Sequence, residues 1–261
     1  FLCSMINYKK ELNDDSLADI AIDPDILAEE LSVDFEVDPL EEIDKDGFSK
    51  DNIDISSACD QALIYLKGDK EERIQGLKIF CEYRDKRSHP LLLPLLDQSC
   101  PVERMSAVYA LGRNPCPDAI SKLVSLLESD DNAYVRRATA WSLANYDNQI
   151  VLRPLIQSLQ KDVSSVRLWA SSSLAEIGSI SNENAQLAAD QLLISLKIDN
   201  EHVVRSNCIW SLCRLYQDLS NKLQELFIDE CTKIALFDSE PSVMEEAKTA
   251  LDSMGMRGFY K

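Results

Sequence analysis

Histidine and cysteine are the residue types of this chain that could hold a metal or act as nucleophiles. The chain of 261 residues has two histidines, His89 and His202, and eight cysteines. The cysteines are scattered at Cys3, Cys59, Cys81, Cys100, Cys116, Cys208, Cys213 and Cys231, with no Cys-x-x-Cys pair. A zinc site needs such ligands clustered at short spacing. We therefore expect no metal site, and we interpret the cysteines as reduced, mostly buried thiols in a reducing compartment.

Motifs for covalent catalysis or phosphate binding are missing as well. The sequence contains no Gly-x-Ser-x-Gly nucleophile turn, no phosphate loop and no dinucleotide fingerprint. We also find no pair of side chains that would form a catalytic dyad. These absences favour a binding protein with no catalytic residue and no cofactor of its own.

The net charge of −18 is concentrated near the N-terminus. Residues 1–55 hold 17 Asp/Glu and 4 Lys/Arg, whereas residues 56–261 hold 28 and 23. Such a chain repels nucleic acid and anionic membrane surfaces, and no run of about 18 apolar residues could span a membrane. We therefore expect a protein partner or an apolar ligand. Residues 1–55 are predicted to be a largely flexible acidic segment with short helices ending near Ile22 and Leu31, either a solubilising tail or a docking arm.

A repeated pattern dominates the rest of the sequence. An apolar residue and Arg are followed by a small residue three positions after the Arg and by an apolar residue four positions later. The pattern is clear in Val135-Arg136, Val166-Arg167 and Val204-Arg205 and looser elsewhere. The repeated arginines are Arg73, Arg104, Arg136, Arg167 and Arg205, and Met244 takes the place of Arg in a sixth copy. Their near-constant spacing indicates stacked structural repeats.

Each copy follows a Leu-rich stretch, and an acidic or polar residue separates the two, as at Asp162 and Asp238. We call these separating residues the acidic stops. We predict two antiparallel helices, A and then B, in each unit, with the stop capping helix B. Five to six such pairs would form an all-α superhelix over residues 56–254, followed by a frayed C-terminus at residues 255–261. The repeated arginines are predicted to form a structural ladder of contacts with the Asp residues. An anion-binding row of arginines is the alternative.

The candidate binding residues are predicted from the direction in which each side chain of helix B points. With about 100° per residue, the side opposite the packed face lies one, five and nine positions after the repeated Arg. The fifth position is occupied by Tyr109, Trp141 and Trp210, and the first position is occupied by Met105, Arg137 and Leu168. Trp169 lies near the edge of the same side of the helix layer. We expect this face to be partly exposed. Its large aromatic side chains are candidate anchors for a partner, because Trp and Tyr dominate interaction surfaces.

The pattern Asp-x-x-x-Val-Arg-x-x-Ala-x-x-x-Leu resembles HEAT repeats, specifically the phycobilisome (PBS) lyase HEAT-like class of cyanobacteria and plastids. The resemblance covers about residues 56–252 and implies that the B helices line a concave groove. A di-iron hydroxylase class with HEAT-like repeats needs several His-Glu pairs, and neither His89 nor His202 is followed by Glu. Iron hydroxylase activity is therefore rejected.

Two functions within the resembled class remain. The segments Met105–Pro115, Ser129–Arg136 and Val203–Cys208 look like the IscA-interacting HEAT-repeat branch, which implies a scaffold that binds an iron–sulfur cluster carrier. The alternative is a phycobilin lyase or lyase chaperone, in which the aromatic groove would hold the bilin and a phycobiliprotein would be the partner. Arg137 or an exposed arginine of the ladder would bind the propionates of the bilin. Both imply a location in the cytoplasm or the plastid stroma.

Overall fold

The computed structural model describes residues 55–256, and within this range the secondary structure consists only of α-helices, short 3-10 turns and loops. The helices are α1 (Ile55–Tyr65), α2 (Lys70–Glu82), α3 (His89–Leu92), α4 (Pro101–Arg113), α5 (Ile120–Ser129), α6 (Ala133–Leu143), α7 (Leu152–Lys161), α8 (Ser164–Gly178), α9 (Asn182–Ile198), α10 (His202–Leu215), α11 (Asn221–Phe237) and α12 (Pro241–Ser253). The predicted all-α fold is therefore confirmed. The helices predicted before Ile55 and the chain end after Met256 lie outside the described residues.

The helices pair as the sequence predicts. Odd-numbered helices are the A helices and even-numbered helices are the B helices, and each A helix packs against the B helix that follows it. The described part divides into two compact units, the first ending at Cys116 and the second beginning at Pro117. In the second unit, α6, α8, α10 and α12 pack successively against one another and form a continuous layer of B helices.

Small residues allow this close packing. The small position of each repeat is fully buried; its occupants are Gly76, Ala107, Thr139, Ala170, Cys208 and Ala247. At Gly76, an added Cβ would lie 2.9 Å from the carbonyl oxygen of Ala62 in α1. Helix α2 therefore contacts the backbone of α1 directly, and the repeat needs a small side chain at this position for a steric reason.

The acidic stops have a different role from the predicted one. Asp130, Asp162, Asp199 and Asp238 each end an A helix, where the backbone N–H still bonds within that helix. Their side chains do not cap the first turn of helix B. They accept backbone N–H bonds inside the connecting turn, as when Asp199 Oδ1 accepts from Glu201 at 3.0 Å. Asn132 caps α6 by accepting from the amides of Tyr134 and Val135. The N-cap residues of α8, α10 and α12 are Val163, Glu201 and Glu240, and none of them makes a side-chain capping bond.

Candidate protein-interaction surface

Three arginines of the second unit bind the acidic stop of the following repeat. Arg136, Arg167 and Arg205 each use Nε and Nη2 to bind both carboxylate oxygens of one Asp, at 2.7 to 3.1 Å. The acceptors are Asp162, Asp199 and Asp238 respectively. A planar guanidinium matches a carboxylate in this two-bond geometry, which makes the contact directional as well as charged.

Each of these arginines also closes its own repeat, because Nη1 donates to a carbonyl in the preceding turn. Arg136 Nη1 lies 2.8 Å from the carbonyl oxygen of Asp130, and Arg205 Nη1 lies 2.9 Å from that of Asp199. Hydrogen bonding to Asp162 raises the pKa of Arg136, although burial opposes the shift. The guanidinium groups are thus engaged on all sides by protein oxygens, which favours the structural ladder over an anion-binding row.

In the first unit, the repeated arginine Arg73 has a different kind of acidic partner from the arginines of the second unit. Arg73 Nη1 bonds to the carbonyl oxygen of Gly68 at 3.0 Å, as in the other repeats. Its Nε bonds to Glu103 in α4 at 2.7 Å, so the acid lies on the next B helix and is not a stop residue. Arg104 Nη1 bonds to the carbonyl oxygens of Gln98 and Ser99 in its own turn. The turn-closing contact is therefore shared by both units.

The B helices of the second unit present a mixed aromatic and polar surface, which we call the B face. It comprises Trp141, Trp169, Ser172, Glu176, Trp210, Arg214 and Glu246, all half-buried except Arg214, which is exposed. The three tryptophans come from three successive B helices, α6, α8 and α10. Each indole therefore keeps part of its surface accessible while its remaining surface is supported by the helix layer.

Polar side chains fix the spacing of the helices under the B face. Asn207 Nδ2 on α10 donates to the carbonyl oxygen of Leu168 at 3.1 Å and to the hydroxyl oxygens of Ser171 and Ser172 at 2.7 Å. Ser211 Oγ donates to the carbonyl oxygen of Ser171, again from α10 to α8. Because buried donors need an acceptor, these bonds favour one register between neighbouring B helices.

Arg214 orients Trp210 on this surface. Its guanidinium carbon lies 5.0 Å from the centre of the Trp210 ring, and Nη2 lies 2.7 Å from Glu176 Oε1 on α8. Both charged side chains are more than 40% exposed, so the ion pair itself is worth at most about 1 kcal/mol. Its main effect is geometric, since it holds a cation over one face of the indole.

Two predicted binding residues do not reach the surface. Arg137 and Leu168 are each 5% exposed, so the expectation that they are accessible is wrong. Both stand one position after the repeated Arg, a position that is buried on α6 and α8 but half-buried at Ser206 on α10 and exposed at Glu245 on α12. The Arg137 guanidinium lies 5.5 Å from the centre of the Tyr134 ring, one turn earlier in the same helix. In the first unit, Met105 and Tyr109 on α4 are half-buried, as the helical phase predicts.

Sequence reasoning missed Glu246, a half-buried residue of α12 whose charge acts on the thiols of Cys213 on α10 and Cys231 on α11. Burial raises the pKa of its carboxyl above the ordinary value. Its charge in turn contributes to raising the pKa of the Cys213 thiol on α10 to about 12, where burial is the larger cause. The helical phase gave no signal, since Glu246 stands two positions after Met244 and not at the first, fifth or ninth position.

The cysteine thiols of the described part are mostly buried. Within residues 55–256, no three His, Cys, Asp or Glu side chains are grouped so that they could hold a metal ion. Cys59, Cys100, Cys116, Cys208 and Cys231 are buried. Burial also raises the pKa of Cys208 and Cys231, so neither is a ready nucleophile. No helix of this range is long and apolar enough to cross a membrane.

A stack of paired helices with an inter-repeat ladder and a continuous B layer defines an all-α helical-repeat protein of the α-α superhelix class. The family description for HEAT repeats matches residues 61–144 and 120–213, and the chain belongs to the HEAT-repeat family. Such repeats are typical of protein-interaction scaffolds.

Two solved structures resemble this fold. A designed armadillo repeat protein is 20% identical with a TM-score of 0.52, covering 75% of this chain and 99% of its own. Another, in complex with the peptide (KR)4, is also 20% identical with a TM-score of 0.52 and covers 86% of this chain and 100% of its own. At this identity the likeness concerns the fold alone. None of the curated proteins matches the chain.

Proposed function

We propose that this chain is a non-catalytic HEAT-repeat scaffold that binds a protein partner on its B face. The observation that carries the proposal is the set of half-buried tryptophans, Trp141, Trp169 and Trp210, on successive B helices. Each ring can bury further apolar area against a partner, and the helix layer already restricts its motion, so the entropic cost of binding is small.

The layer under these rings is preorganised for binding. The bonds of Asn207 and Ser211 to α8 fix the distance between two of the tryptophan-bearing helices. Arg214 fixes the orientation of Trp210. A rigid arrangement of large side chains with a polar surround is the anatomy of a protein-binding surface. One designed armadillo repeat protein of similar fold carries a bound peptide, (KR)4, which is consistent with peptide recognition by a helical-repeat layer.

The partner we propose is an IscA-type iron–sulfur cluster carrier. The support is the resemblance of Met105–Pro115, Ser129–Arg136 and Val203–Cys208 to the IscA-interacting branch of HEAT-repeat proteins. The last of these segments opens α10, the helix that carries Trp210. This function places the chain in the cytoplasm or in the plastid stroma, where its buried thiols would stay reduced.

The test is calorimetric titration of the purified full chain with a purified IscA-type carrier. We expect Trp141→Ala and Trp210→Ala each to weaken binding about tenfold or more, with little change in the melting temperature. Phe237→Ala is the matched control, because Phe237 on the A helix α11 is 80% exposed and lies outside the B face. Binding that is insensitive to both tryptophans would contradict the proposal.

The phycobilin lyase function remains the alternative, because an aromatic face also suits a flat tetrapyrrole. The burial of Arg137 removes one of the arginines expected to bind the propionates, and an exposed arginine of the ladder is the other. Adding a bilin to the purified chain separates the two functions. A red-shifted absorbance that depends on the protein would favour the lyase, whereas an unchanged spectrum together with carrier binding would favour the scaffold.

A further inference from the structure

Asn207 on α10 has a side-chain oxygen, Oδ1, that accepts no hydrogen bond from any residue within 55–256. Its Nδ2 donates to the carbonyl oxygen of Leu168 on α8, and a carbonyl can only accept, so the orientation of the amide is fixed. Oδ1 therefore points away from that carbonyl. Asn207 is 8% exposed, and Oδ1 retains contact with solvent. A largely buried amide thus keeps an unused acceptor at the surface.

This acceptor lies on the line of contact between α8 and α10, which we call the seam. Asn207 Nδ2 reaches Ser172 Oγ across the seam at 2.7 Å. Further along both helices, Arg214 Nη2 reaches Glu176 Oε1 at 2.7 Å. Because the two contacts follow one another in the same order on both helices, α8 and α10 run in the same direction.

Two tryptophans flank Asn207 along the seam. Trp169 lies three residues before Ser172 on α8, and Trp210 lies three residues after Asn207 on α10. Each is therefore about one helical turn from the contact between Ser172 and Asn207. Both indoles are half-buried, and in the described range neither indole N–H has a protein acceptor. Within this range, the seam thus combines one unused acceptor with an unused donor on either side.

A polypeptide main chain supplies the complementary groups, because each residue carries one N–H donor and one C=O acceptor. In helices and inner strands these groups are bonded internally, whereas an extended segment offers them free. Other ligand chemistries fit less well. A cationic side chain would meet the guanidinium of Arg214, and a carboxylate has no hydrogen for Asn207 Oδ1. An apolar surface would remove water from that oxygen without replacing its hydrogen bond.

We propose, on the basis of the proposed function, that the partner lays an extended segment across the seam and that a main-chain N–H of this segment donates to Asn207 Oδ1. A carbonyl oxygen of the same segment accepts from the indole N–H of Trp169 or Trp210. The B face then recognises this part of the partner by its main chain, and the indole rings select the side chains that pack beside it.

The experiment uses the full chain and overlapping synthetic dodecapeptides that span the sequence of an IscA-type carrier. The peptide that binds most tightly in calorimetry is remade with an ester in place of one amide at a time, which removes one main-chain N–H at each position. Each ester peptide is titrated into the unmodified chain, Asn207→Ala and Ser173→Ala. Ser173 is the matched control, because it also donates a bond between B helices but is buried and bonds to α6.

We expect an ester at one position to weaken binding to the unmodified chain about tenfold, and esters elsewhere to change it less than about threefold. Asn207→Ala should bind the parent peptide about tenfold more weakly and should not respond to that ester. Ser173→Ala should respond as the unmodified chain does. All titrations are run below the melting transition of each variant, and the ester series on the unmodified chain needs no variant.

Two results would overturn the inference and leave the proposed function intact. If the intact carrier binds but none of its peptides does, the B face recognises a folded surface. If a peptide binds but no ester effect depends on Asn207, its main chain does not bond to Oδ1. Failure of both the carrier and its peptides to bind would instead contradict the proposed partner, and this inference with it.

Discussion

In the second unit, Arg136, Arg167 and Arg205 each perform two tasks with one guanidinium, which explains why the residue recurs there. Arg167 bonds to the carbonyl oxygen of Asp162 in its own turn and to the carboxylate of Asp199 in the next repeat. A Lys ammonium has no planar fork and could not make both contacts in this geometry. The ladder could be predicted from the sequence because Arg and Asp recur together. The burial of Arg137 could not, because a helical phase difference of about 40° separates its position from the accessible one.

At the residue scale, we first predict that core and surface positions of the B helices respond oppositely to truncation. Leu174→Ala should lower the free energy of unfolding by about 2–5 kcal/mol, because Leu174 is fully buried and its removal leaves a cavity. Trp210→Ala should cost much less, since its ring is half-buried. Urea unfolding of the two variants decides the point, and a larger loss for Trp210→Ala would place that ring in the core.

A second residue-scale prediction concerns acid stability. Burial alone would raise the pKa of Asp238, but hydrogen bonds from Arg205 and from the amide of Glu240 outweigh it and lower the pKa below the ordinary value of 3.8. A lowered folded pKa gives stability that is present above the unfolded value and is lost as the pH falls through the folded value.

Urea unfolding between pH 6 and pH 2.5 measures this contribution. The Asp238→Asn variant should be less stable than the unmodified chain at pH 6, and the difference should shrink below pH 4. Asp229→Asn is the control, because Asp229 forms an exposed i,i+4 pair with Lys233 on α11. A constant difference across the range would show that the charge of Asp238 contributes nothing.

At the scale of elements, the B helices are joined by side-chain bonds to neighbouring backbones as well as by apolar contact. Ser173 Oγ on α8 donates to the carbonyl oxygen of Ala140 on α6 at 2.8 Å, and Asn207 does the same from α10 to α8. The repeat pattern predicted the helix pairs but not these bonds. Ser173 stands six positions after its repeated arginine, as does Ser211, which donates to Ser171 on α8 in the same way, so the serine bond does recur. Asn207 stands two positions after Arg205, and no periodic signal marks it.

We predict that Asn207→Ala weakens this layer. The substitution removes three bonds and leaves the carbonyl oxygen of Leu168 without the donor from Asn207, so the free energy of unfolding should fall by about 1–3 kcal/mol. Ser206→Ala at the neighbouring half-buried position should change it by less than about 0.5 kcal/mol. The two variants are compared by urea unfolding, with amide hydrogen exchange of α8 and α10 as a local measure. Equal stabilities would show that apolar packing alone sets the register.

At the scale of the whole molecule, the fold of a repeat protein can be predicted from its sequence because the same pattern of packing residues recurs in every repeat. The spacing of Arg73, Arg104, Arg136, Arg167 and Arg205 predicted the pairs of helices that the structure contains. The B face was harder to predict, because recognition residues need not repeat. Trp141 and Trp210 share one position in the repeat, whereas Trp169 and Glu246 occupy another, and their exposure depends on how closely adjacent B helices approach.

The last prediction concerns the acidic segment, residues 1–55, which holds 17 of the 45 Asp and Glu residues. A chain lacking residues 1–54 should keep the cooperative urea unfolding of the repeats, because the helix pairs that pack on one another lie within residues 55–253. A basic partner should associate more slowly with the shortened chain at low salt, since long-range attraction steers encounter, and dissociate at an unchanged rate. Stopped-flow association at about 0.02 M and 0.5 M salt measures this effect, which screening should abolish at the higher concentration. Faster dissociation after the deletion would instead show that the segment contacts the bound partner as a docking arm.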